Sequence, residues 1–161
     1  MRELMELLCD YLTLDHRLTC GQRLSPAQHA RWLALQGALP GTGNAPGPGP
    51  SNERTDDGVR VELTAHGRCD GARLMGVSRD GLRLRLRQPL ALGTRTLVRV
   101  VVGRTEYVYP CVVAWCDGHV MGVCFDGRPE RAAVLGEVSG EWQSPLKLET
   151  GWGVPAACGL A

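Results

Sequence analysis

The chain has 161 residues, 43% hydrophobic and 22% charged, with 18 basic against 17 acidic side chains and a net charge of +1. This length accommodates one domain plus appendages, and the composition is that of a globular protein rather than a disordered or fibrous one. No apolar run approaches the roughly 18 residues of a membrane span and the N-terminus has no signal-like apolar core, so the expected location is cytoplasmic.

Residues 2–18 predict a helix with Leu4, Leu8, Tyr11 and Leu18 near one stripe and Glu3, Glu6 and Asp10 elsewhere. A second helix should start at Ser25-Pro26-Ala27-Gln28. Ser25 can cap it, Pro26 suits the first helical position, and Gln28 stands where a capping box places Glu or Gln. Residues 1–39 thus read as a helical hairpin, a cap on the remaining fold or a dimer contact. A sharper alternative is a docking surface built on Tyr11, Trp32 and Leu35, the kind of aromatic anchors that dominate interfaces. Residues 40–53 are rich in Pro and Gly with almost nothing able to pack, and read as a linker. On the sequence alone the helices and the region beyond the linker are separable units.

Beyond the linker, residues 54–138 alternate between short apolar-periodic runs and Gly-rich turns. Val59–Ala65, Ala72–Val77, Leu82–Arg87, Thr96–Val102, Tyr107–Cys116 and His119–Phe125 are the expected strands. In the third, three leucines and three arginines alternate without a fault, as one buried and one wet face require. Asp117-Gly118 between two apolar runs predicts a type I′ hairpin turn. Such spacing argues for an antiparallel sandwich or closed barrel, with a core largely of Leu and Val because Phe125 is the only Phe. Pro129–Val138 predicts one helical turn or more, and residues 139–161 an ill-ordered tail.

Gly76 to Phe125 carries a resemblance. Ser78-x-x-Gly81 leads into the Leu/Arg strand, followed by the Pro89–Gly93 turn, the Val-Val-Ala-Trp strand and the hairpin ending Met121-Gly122-Val123-Cys124-Phe125. Over residues 59–127 this order resembles the PilZ domain, a bacterial β-barrel family associated with cyclic di-GMP signalling. The resemblance implies a mainly β fold, a split antiparallel barrel of about six strands, here with an N-terminal two-helix hairpin. It also implies links with motility, surface polysaccharide or the cell envelope.

The family's ligand chemistry rests on two motifs, and this chain departs from both. In Arg-x-x-x-Arg, guanidinium forks pair with guanine O6 and N7 or with phosphate. With Arg60 as the second arginine, Asp56 occupies the first position; with Arg54 as the first, Gly58 occupies the second. In Asp/Asn-x-Ser-x-x-Gly, Ser78 and Gly81 stand, but Gly76 replaces the acid or amide that holds a guanine edge. Each lost bidentate contact costs roughly 1–3 kcal/mol, so two weaken binding on the order of a hundredfold. Cyclic di-GMP binding is therefore expected to be weak or lost.

Compensation has a source, since residues 73–104 hold eight arginines against Asp80 alone. That cluster supports a cyclic di-GMP receptor using a non-standard set of arginines, or a nucleic-acid-binding module. Its simplest reading is the solvated face of a strand, with Arg83, Arg85 and Arg87 offered to an acidic protein partner. No catalytic constellation is found: His16, His29, His66 and His119 are not at metal-ligand spacing, and the nucleophile-elbow and P-loop motifs are absent. The seven cysteines are scattered, with no C-x-x-C pair, and Cys111, Cys116 and Cys124 fall inside expected strands as small hydrophobes. The resulting expectation is a noncatalytic regulatory adaptor without metal or cofactor, acting through protein–protein contact.

Overall fold

The Leu/Arg alternation is realised in space: Leu82, Leu84 and Leu86 are buried, Arg85 and Arg87 are exposed, and Arg83 is half-buried. The computed structural model describes residues 1–41 and 59–134. Its elements are α1 (Arg2–Thr19), α2 (Pro26–Ala38), β1 (Arg60–Ala65), β2 (Arg68–Val77), β3 (Gly81–Arg85), β4 (Arg95–Val102), β5 (Thr105–Asp117), β6 (Val120–Phe125) and β7 (Glu130–Ala133). The strands run β4-β1-β2-β3-β6-β5-β7, and a further β4–β5 pairing closes the first six into an antiparallel barrel. Closure removes the exposed edges that an open sheet would offer to aggregation.

Each barrel strand sends alternate residues inward. Val61, Leu63, Leu84, Val98, Val100, Met121 and Val123 are at most 1% exposed, as are Tyr107 and Tyr109. The Leu and Val core is therefore completed by two stacked tyrosines rather than by Phe. Trp115 lies half-buried on the outer face of the barrel. Bulges between Leu74 and Gly76 and between Val113 and Trp115 shift the register and increase local twist.

Three local details differ from the sequence reading. β2 begins at Arg68 rather than Ala72, because His66 (φ 50°) and Gly67 (φ 73°) form a two-residue turn placing Ala65 opposite Arg68. Arg68–Gly71 are all exposed and so carry no apolar alternation to betray the strand. The β5–β6 loop is Gly118-His119, one residue later than expected, with Asp117 opposite Val120 and positive φ at Gly118 alone. That pattern matches the Gly-first preference of type II′ rather than type I′. Finally, Glu130–Ala133 is a strand, not a helical turn. β6 pairs only with the C-terminal half of β5, and β7 satisfies the N-terminal half at Thr105–Val108. Residues 42–53 of the expected linker and 135–161 of the C-terminal segment lie outside the described residues.

The helical hairpin packs on the barrel. Ser25 Oγ accepts from the Gln28 amide at 3.3 Å while Gln28 Oε1 accepts from the Ser25 amide at 3.1 Å, completing the capping box. On α1 the buried residues are Met5, Leu8, Cys9, Tyr11, Leu12 and Leu14, which join the barrel interior in one continuous core. The Tyr109 hydroxyl, inside the barrel, donates to the Met5 carbonyl of α1 at 3.2 Å. The expected Tyr11–Trp32–Leu35 surface is largely internal to the hairpin. Tyr11 and Leu35 are 5% exposed, the Tyr11 and Trp32 rings stack at 6.4 Å, and Trp32 Nε1 donates to Asp15.

Candidate functional site

The described residues singled out by sequence fall on β1, β2 and β3, at the β2–β3 turn and just past the end of β3. Arg54 lies outside the described residues. Arg60 opens β1 and is exposed. Gly76, Ser78 and Gly81 meet at the β2–β3 turn, while Arg83 and Arg85 project from β3 and Arg87 stands just past its end.

The turn is built around its own serine. The Ser78 hydroxyl donates to the Gly81 carbonyl at 3.0 Å and accepts from the Gly81 amide at 3.1 Å, and the Ser78 amide reaches the same carbonyl at 2.9 Å. Gly81 is required here because a Cβ would sit 2.1 Å from the Val123 carbonyl oxygen, where β6 passes. The helical hairpin reaches the same turn. The Arg79 amide donates to the Pro40 carbonyl at 3.0 Å, and Arg79 Nη1 donates to the Gln36 carbonyl at 3.4 Å. No basic side chain lies in the last turn of α2 itself, so Arg79 supplies the cation that the negative end of a helix favours. Tyr11 of α1 packs nearby; burial, then the Asp15 carboxylate, push its phenol above the ordinary value.

Gly76 begins a row that runs across four strands: Gly76 faces Arg83, Arg83 faces Gly122, and Gly122 faces Trp115. A Cβ at Gly122 would lie 2.0 Å from Trp115 Nε1, so the indole rests directly on that glycine. The Arg83 guanidinium carbon stands 5.8 Å from the indole centroid, within cation–π reach. Trp115 Nε1 is shielded and has no acceptor among the described residues. At Gly76 the space is open: an added Cβ would make one ordinary contact, 3.7 Å from Arg83 Cβ. The position thus has room for the missing acid or amide but offers no polar side-chain atom.

Elsewhere on the outer surface Arg99 is clamped by Glu62 and Glu106, with Nη1 to Glu62 Oε2 and Nη2 to Glu106 Oε2 both at 3.0 Å. The Glu106 hydrogen bonds raise the Arg99 pKa further. This carboxylate pair removes one member of the arginine cluster from ligand chemistry. Among the described residues no group of His, Cys, Asp and Glu is placed to hold a metal ion, and no helix is long and apolar enough to cross a membrane.

Sequence reasoning located the turn and the Arg83–Arg85–Arg87 face but missed Arg79 as a cap on α2 and Trp115 as a cover on Gly122. A strand-interior glycine such as Gly122 does signal close approach of another group; which group approaches is set by register. Compared with protein-family models, residues 51–137 of the chain match the PilZ domain, a little over half of its length. No curated protein matches the chain.

Proposed function

The chain belongs to the PilZ domain family, whose members bind cyclic di-GMP or act as adaptors in its signalling, and from that premise we propose that this protein is a noncatalytic adaptor that works by protein–protein contact with cyclic di-GMP binding weak or lost. Its expected setting is the cytosol of a bacterial cell, in regulation of motility or the envelope. The observation that carries this reading is the state of the β2–β3 turn. Gly76 brings no side-chain group to a guanine edge. The Ser78 hydroxyl is engaged with Gly81, and Arg79 with the end of α2. A ligand would have to compete with these internal bonds, and leaving any of them broken without replacement costs about 1–3 kcal/mol.

Thermal melts with and without cyclic di-GMP test the reading. A site with a Kd near 1 µM, given a hundredfold excess of ligand over Kd, adds about 2.7 kcal/mol of stability, a rise on the order of 10 °C for a folded body of this size. The expected result is an unchanged midpoint. A competing reading, a receptor built on non-standard arginines, draws on the exposed Arg60, Arg73 and Arg85, and a ligand-dependent rise in the midpoint would favour it.

A further inference from the structure

The two helices of the hairpin are held very differently. Six residues of α1 are buried, whereas Leu35 is the one buried residue within α2. α2 is secured at its start by the Ser25 capping box and in its middle by Leu35 and by Trp32, stacked on Tyr11. Its end has less. Gly37 and Ala38 are exposed, and a Cβ at Gly37 would meet nothing within 4 Å. Glycine loses more conformational freedom than alanine on entering a helix, so the last turn is the weak one. Beyond it the buried Leu39 donates its amide to the Leu35 carbonyl at 3.0 Å and then leaves the helix in extended conformation (φ −80°, ψ 143°). The final carbonyls are therefore left to donors outside the helix. Arg79 is such a donor twice over, its guanidinium reaching the Gln36 carbonyl and its amide the Pro40 carbonyl. The same guanidinium stands 3.8 Å from the Asp80 carboxylate, and its side chain is 26% exposed.

We propose that residues 36–40 form a latch closed on the β2–β3 turn, with Arg79 as its catch. In the open position the last turn of α2 unwinds and leaves Arg79, while α1 and the barrel stay in place. Local opening of this kind belongs to segments held by few apolar contacts, and at the end of α2 Leu39 is the buried apolar anchor. A partner group that draws the Arg79 guanidinium away frees the end of α2. The coupling is reciprocal, so a contact that steadies the end of α2 also steadies the turn. The turn carrying Gly76, Ser78 and Gly81 is thereby tied to the hairpin, and an event on the barrel surface has a route to the helices. The device stands whether or not cyclic di-GMP binds.

The test is amide hydrogen exchange of the full chain, resolved by nuclear magnetic resonance, at Leu39 and at position 79. Both amides are bonded while the latch is closed and released when it opens, so they share one opening equilibrium. They exchange faster than the buried α1 amides and with a shallower denaturant dependence, because little surface is uncovered. Arg79→Ala imitates withdrawal of the catch and speeds both by about threefold or more, the effect of one lost hydrogen bond. Gly37→Ala, for which the space is open, slows both by about two- to fivefold. Circular dichroism confirms that both variants are folded. A change confined to the segment that carries the substitution overturns the proposal. So does exchange of the two amides only together with α1, which would mean that the end of α2 has no opening of its own.

Discussion

Replacing Leu8 with Ala probes whether the helical hairpin and the barrel share one cooperative core. Leu8 and Met5 are both 0% exposed and join the barrel interior in one core. Buried Leu→Ala changes cost about 2–5 kcal/mol, the larger values where the surroundings cannot relax into the cavity. Relaxation is restricted here, because the Met5 carbonyl one turn away is held by the Tyr109 hydroxyl at 3.2 Å. We therefore expect the upper half of that range, about 3–5 kcal/mol, and a fall in midpoint on the order of 10–25 °C. Melts followed by far-ultraviolet circular dichroism, for the helices, and by the onset of alkylation at buried Cys111, for the barrel, should give one midpoint. Leu33→Ala, at a position 49% exposed, should stay within about 0.5 kcal/mol. Early loss of the helical signal with the barrel transition unmoved would refute the shared core.

Two other perturbations address local geometry. Gly122→Ala forces the Trp115 indole off the sheet, so its fluorescence should shift to the red while stability falls by about 1–3 kcal/mol, as overpacked sites do; an unshifted spectrum would mean the ring does not rest on Gly122. Burial pushes the Cys9 and Cys111 thiols above the ordinary value. The thiolate is the reactive form, so alkylation mapped by mass spectrometry at mildly alkaline pH should mark exposed Cys20 and Cys69 first and Cys111 last. Cys111 should stay protected as the pH is raised. Rapid marking of Cys111 in the folded protein would contradict a closed barrel.

The fold was legible where periodicity and turn chemistry agreed. The Leu82–Arg87 alternation, the Ser25 capping box and six of the strands are local patterns that one segment can announce. What stayed hidden depends on partners distant in sequence. β7 is four exposed residues without periodicity, defined only by the unpaired half of β5. The His66-Gly67 turn has a non-glycine residue at positive φ, which propensity disfavours. At the site, the motif positions Gly76, Ser78 and Gly81 could be read one by one. The bond from Arg79 to Gln36, however, spans 43 residues. Likewise, Arg60, Arg73 and Arg85 stand abreast only through two registers that no single stretch specifies. Tyr11 and Trp32 illustrate the same limit: as sequence they suit an interface, and only the packing of α2 on α1 makes them mutual core.

Isothermal titration of the full chain with cyclic di-GMP, beside the double variant Asp56→Arg with Gly76→Asp, tests the central claim most directly. The first substitution restores an arginine to the family's motif, and the second fills the open position beside Arg83. The account predicts no binding heat in the low micromolar range for the parent chain. Tight, stoichiometric binding by the parent chain would contradict it.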